Sequence, residues 1–172
     1  MKGIEKKITK RLSVLAGLEL SGVNRAVDML TLQFGPLVSW VSPRGTTKSV
    51  GTWALHIQCP WRIESAGAFL VGKSDLYEPG SESNECLTLM DERISMLLDR
   101  ASGTTVDATL PSRNPLLVQG VRADEVGGVW ITLSEGFRLV IFPDGTKSEA
   151  WRFFSPASNG KHLVVEGGVI DG

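Results

Sequence analysis

His56 and Cys59 stand three residues apart just before Pro60, and an imidazole beside a thiol is the pairing that activates a cysteine nucleophile. In a regular strand that spacing puts the two side chains on opposite faces, so they are expected to meet only if a bulge intervenes. His56 and Gln58 do share a face. They read as polar groups lining a pocket or, more simply, as the wet side of an antiparallel sheet. Asp75, Tyr77 and Glu78 fall in an acidic loop over 73–79. Two carboxylates could hold a cation or act as acid and base, but no third ligand is indicated. An acidic loop carrying a Tyr also suits contact with a basic protein surface.

The dipeptide Trp-Arg occurs at Trp61-Arg62 and again at Trp151-Arg152. Adjacent strand residues face opposite ways, so each Trp is expected in the core and each Arg outside it. The Arg residues are expected to pair with nearby acids such as Glu64 and Glu149. The alternative is a two-arginine surface for a carboxylate or phosphate. No phosphate-binding glycine loop, zinc-protease, serine-hydrolase or CxxC pattern occurs, and two cysteines with two histidines match no zinc-finger spacing. No cofactor and no metal are expected, and an enzyme is the less favoured class.

These residues are positioned by elements whose periods are readable. Ile4, Ile8, Leu12 and Leu15 form one stripe of a helix over 4–16, with Lys6, Lys7, Lys10 and Arg11 off the stripe and Gly17 at its end. The basic face is read as solvated, because the helix lacks the Trp or Phe of membrane-surface helices. Strands are expected at 29–34, 52–59, 69–71, 116–123, 128–134, 137–142, 149–154 and 162–166. A second helix over 86–100 is expected to bury Leu87, Met90, Ile94, Leu97 and Leu98, with Asn84 as its cap. Glu135-Gly136 and Pro143-Asp144-Gly145 read as short turns of an antiparallel meander.

The elements recur in order. Gly22-Val23, Leu30-Thr31-Leu32, Trp53 to Ile57, Trp61-Arg62-Ile63 and Phe69 to Gly72 are followed by Gly120-Val121, Ile131-Thr132-Leu133, Phe137 to Ile141, Trp151-Arg152-Phe153 and His162 to Val165. The offsets differ: 98 for Gly22 and Gly120, 84 for Leu55 and Leu139, 90 for Trp61 and Trp151. The pattern is a repeated order of strands with unequal loops. Where the copies differ, His56 stands opposite Val140, and the acidic loop has no counterpart.

At 172 residues the chain is long enough to bury a core without disulfide or metal support. Its charge is uneven: +6 over residues 1–62 and −7 over 63–172, a split expected to be satisfied mainly inside the molecule. The reading is therefore an α+β, mainly antiparallel β protein. It forms a single domain, 1–172, with possible sub-units 18–79 and 115–170 joined by a loop-helix segment 80–114. The expected function is a small cytoplasmic protein-binding module, of an accessory or toxin-neutralising kind. The alternative is an enzyme or small-ligand binder with a pocket between the two β halves. A protein partner or self-association is the expected contact; a membrane is not, since no apolar run spans one, and nucleic acid is disfavoured by the acidic balance after residue 62.

Overall fold

Ile8, Leu12 and Leu15 are fully buried, and this stripe fixes helix α1 (Ile4–Leu12), which continues into a 3₁₀ turn over Ser13–Leu15. Gly17 ends it in the left-handed region at φ 81°. The computed structural model describes residues 3–81, 87–101 and 115–172, with side chains described outside 98–101. The strands of the first part are β1 (Leu20–Ala26), β2 (Met29–Phe34), β3 (Val38–Val41), β4 (Thr47–Val50), β5 (Trp53–Ile57), β6 (Trp61–Ser65) and β7 (Ala68–Gly72). A 3₁₀ turn over Lys73–Tyr77 follows, then helix α2 (Leu89–Ala101). The rest is β8 (Val118–Ala123), β9 (Val129–Leu133), β10 (Phe137–Ile141), β11 (Glu149–Phe154), β12 (Leu163–Glu166) and β13 (Val169–Asp171).

Two antiparallel sheets carry the fold, one ordered β1-β2-β5-β11-β12-β13 and the other β7-β6-β10-β9-β8, with β3-β4 as a separate ribbon. Period-two alternation decides which side chains meet. Leu30, Leu32 and Phe34 of β2 and Val129, Ile131 and Leu133 of β9 are buried, while the residues between them are not. The buried faces of both sheets join one hydrophobic cluster, which includes Trp61 and Trp151. The chain is thus α+β and mainly antiparallel, with one helix at the N-terminus and one in the middle. Helix α1 packs on β8, and α2 on β1 and β7.

Neither sheet is confined to one half of the chain. The meander β1-β2-β5 is completed by β11-β12, and the meander β10-β9-β8 by β6-β7. The pairings correspond. Leu32 faces Leu55 as Ile131 faces Leu139, and Trp151 faces Ile57 as Trp61 faces Ile141. A bulge precedes Gly22 in β1 and Gly120 in β8. Leu20 N–H donates to the Leu116 carbonyl and Val118 N–H to the Leu18 carbonyl, both at 2.8 Å, so exchanging the halves maps one bond onto the other.

Three local expectations are corrected. Pro143-Asp144-Gly145 closes no hairpin: β10 pairs with β6 and β9, β11 with β5 and β12, so this segment carries the chain from one sheet to the other. Helix α2 starts at Leu89 and is capped by Thr88, whose hydroxyl accepts the Asp91 N–H at 3.2 Å while Asp91 Oδ2 accepts the Thr88 N–H at 3.0 Å. The expected cap Asn84 lies outside the described residues, and Leu87, ahead of the helix, is exposed. Finally, β13 adds a strand beyond the pattern read at 162–166, through the Gly167-Gly168 turn with both φ positive.

Candidate functional site

The expected site residues divide between two places. His56, Gln58 and Arg152 lie on the first sheet's outward side. Arg152 pairs across the strands with His56, and Gln58 Nε2 donates to Glu149 Oε1 at 3.2 Å. The His56 ring meets Phe154 edge-on at 4.9 Å, and Phe154 stacks on His162 at 4.4 Å. Burial, then the Arg152 charge, holds the His56 imidazole below its ordinary pKa. The charges acting on it come from Arg152, Glu149 and His162; Asp75 and Glu78 are not among them. A bulge does occur before Pro60, with the Gln58 and Cys59 N–H groups both donating to the Ala150 carbonyl. It makes no thiol–imidazole pair: Cys59 is buried among apolar groups, and that burial pushes its thiol up to about 12.

Arg62 and Asp75 are brought together at a cavity of about 400 Å³ over β6, β7 and α2, which Lys73 and Arg93 also line. The four charged side chains there already serve the scaffold. Arg62 Nε donates to Glu64 Oε1 at 2.7 Å, Arg93 to the Leu70 carbonyl at 2.5 Å, Lys73 to the Gln58 carbonyl, and Asp75 accepts the Gly72 N–H at 2.9 Å. Tyr77 and Glu78 are exposed nearby in sequence and do not line this cavity. The Trp-Arg dipeptides behave as expected. Both indoles are buried, Arg62 pairs with Glu64, and Arg152 Nε donates to Glu149 Oε1 at 2.6 Å. Arg138 joins Glu64 at 2.9 Å, and the two guanidiniums, Arg62 first, hold the Glu64 carboxyl below the usual carboxylate range. The two tryptophans differ: Trp151 Nε1 donates to the Gly127 carbonyl at 2.8 Å, whereas Trp61 Nε1 has no partner among the described residues. The turn between β8 and β9 reaches Trp151, while the corresponding turn between β1 and β2 is only Val27-Asp28.

A second cavity, of about 440 Å³, lies between α1 and the β12–β13 hairpin and draws on both halves of the chain. Lys7, Lys10, Arg11 and Val14 supply the helical wall. Lys161, Leu163 and Ile170 supply the strand wall, and Trp53 lies between them. The Trp53 ring is stacked on Phe153 at 5.0 Å, which fixes its orientation. Arg11 donates to the Lys161 carbonyl at 2.7 Å and ties the helix to the strand. Among the described residues, no ion pair or hydrogen bond engages the ammonium groups of Lys7, Lys10 or Lys161. Like charges sharing a concave, partly apolar surface raise its potential and attract an anion. Among the described residues no acidic side chain lines this cavity, and Gly172 completes its lining.

The α1 cations were legible as a basic face; Lys161, Trp53 and Ile170 as their companions were not. Lys161 lies 150 residues from Arg11, so no local pattern in the sequence shows that the helix meets this segment. Among the described residues no cluster of His, Cys, Asp and Glu could hold a metal ion, and no helix is long and apolar enough to cross a membrane. Comparison with family models, with curated proteins and with solved structures returned no match.

Proposed function

We propose that this protein is a small binding protein that recognises an anionic group in the cleft between α1 and the β12–β13 hairpin. One observation carries the reading: three lysines line a cavity with Trp53, Gly172 and apolar side chains, and among the described residues no Asp or Glu side chain pairs with them. Four arginines elsewhere are engaged by internal carboxylates. Arg25 holds Asp91, Arg62 and Arg138 share Glu64, and Arg152 holds Glu149. The test is thermal denaturation against a panel of small anions at low and high salt. The expected result is a class of anion that raises Tm, less so at high salt, and no longer does so in Lys7→Gln/Lys10→Gln/Lys161→Gln. A panel without effect, or an undiminished shift in the triple variant, would reject the reading.

The two halves are read here as copies of one helix-and-strands unit that exchange their last strands. Support comes from the matched registers and bulges and from the stripe shared by the helices: Ile8, Leu12 and Leu15 in α1 and its 3₁₀ extension, and Met90, Ile94 and Leu97 in α2, all buried at the same spacing. A partner-binding role, of the accessory or toxin-neutralising sort, has its own observation in Tyr77, which is 78% exposed beside the exposed Glu78. Its test is binding to a basic partner that Tyr77→Ala/Glu78→Lys abolishes while the cleft stays intact. No reaction is proposed at His56, since its neighbours supply no carboxylate from the acidic loop.

A further inference from the structure

We infer that the occupant of the α1 cleft is a small amphipathic anion, free in solution: one carboxylate, sulfonate or phosphate monoester head on a short alkyl or aromatic body. This rests on the reading that the cleft is the binding site, and deepens it. The two helices separate structural from unassigned cations. Aligned on their buried stripes, Arg11 of α1 stands where Arg93 stands in α2, and the two do the same work. Arg11 donates to the Lys161 carbonyl just before β12, and Arg93 to the Leu70 carbonyl in β7, the strands that complete the opposite meanders. The arginine is therefore accounted for by docking of the helix. Lys7 and Lys10 are not: α2 has Leu89 and Glu92 in those places, and Glu92 accepts the Ser81 N–H and hydroxyl. The scaffold holds its helix without cations at these positions.

The cleft also sorts its chemistry by depth. Lys7, Lys10 and Lys161 are exposed, whereas Leu163 is buried and Trp53 and Ile170 are half-buried. An occupant places its charge at the mouth and its apolar part on the floor. A volume of about 440 Å³ falls in the range of small-molecule pockets, roughly 300–1,000 Å³. A membrane surface is the other source of such a ligand. Against it, α1 turns its apolar stripe into the core, where Ile8, Leu12 and Leu15 are fully buried, so it has no apolar face to insert.

The test titrates the full chain with 1-anilinonaphthalene-8-sulfonate and, separately, with laurate below its micelle concentration. Two further arms use octaglutamate and anionic phosphatidylglycerol vesicles. Saturable binding of both small probes at one site per chain is expected, with laurate displacing the dye. Lys7→Gln/Lys10→Gln should weaken both about ten-fold or more, and Lys6→Gln, outside the cleft, should leave them unchanged. Absence of saturable binding, or equal binding in the double variant, overturns the inference. Octaglutamate binding that depends on Lys7 and Lys10 without binding of either small probe overturns it too, yet leaves anion recognition at the cleft standing. Vesicle binding without monomer binding also overturns it. If no anion of any kind binds, the broader reading fails with it.

Discussion

A charged side chain in this molecule is best understood by what answers it. Glu64 is almost buried and accepts from both Arg62 and Arg138, which face it from its own strand and from β10. Those guanidiniums hold its carboxyl below the value it has in an unfolded chain. Its contribution is therefore fully present above the unfolded carboxylate pKa and is lost as pH falls through the lowered one. Glu64→Gln is expected to cost about 1 kcal/mol near pH 7, since both arginines are about half exposed and screened. The difference from the unmodified chain should shrink as pH falls below about 4; an equal penalty at pH 7 and pH 3, measured by urea denaturation, would refute it. His56 adds a slope in the same direction, because protonating an imidazole whose pKa burial lowers opposes folding as pH falls. Among the described residues Lys7, Lys10 and Lys161 have no such internal answer, and that contrast sets the cleft apart.

At the scale of elements, most strands were legible because half-buried sheets write period two into the chain, and both helices because their stripes recur at four and three; the ribbon β3–β4, mostly exposed, carries no such period and was not expected. The errors fell where local chemistry is silent about destination. Pro143-Asp144-Gly145 has the composition of a hairpin turn, but β10 and β11 belong to different sheets, and only packing decides that. The three-residue β13 is too short to show alternation; its signal was the Gly167-Gly168 pair. The turn between β1 and β2 also escapes sequence rules. Val27 takes φ 59°, a region that a β-branched residue occupies only under strain. Its side chain is 83% exposed, so it contributes little packing in return. Val27→Asn should relieve roughly 1 kcal/mol and raise Tm by about 2–4 °C. An unchanged or lowered Tm in scanning calorimetry would contradict the strain.

For the whole molecule, the exchange of strands between halves has a mechanical consequence. Strand β5 depends on β11, and β6 on β10, so neither half closes a sheet alone. Residues 1–86 and 87–172 produced together should assemble one to one and unfold in a single transition, and neither alone should unfold cooperatively. A lone fragment with its own cooperative transition would show that the halves are independent domains. The same exchange explains why the candidate site was only half readable. The basic face of α1 is local and could be read off the helix, but its floor comes from Trp53 in one half and from β12 and β13 in the other. The charge split is answered internally by pairs such as Arg25–Asp91, yet among the described residues no ion pair engages α1.

The central claim is that this cleft is where the protein binds a small amphipathic anion. Its most direct test is the amide spectrum of ¹⁵N-labelled protein titrated with laurate. The account predicts progressive shifts confined to the neighbourhood of Lys7, Lys10, Trp53, Lys161, Leu163 and Ile170, with the surroundings of Arg62 and Asp75 unmoved. A spectrum that does not change, or that changes around Arg62 and Asp75 instead, would contradict it.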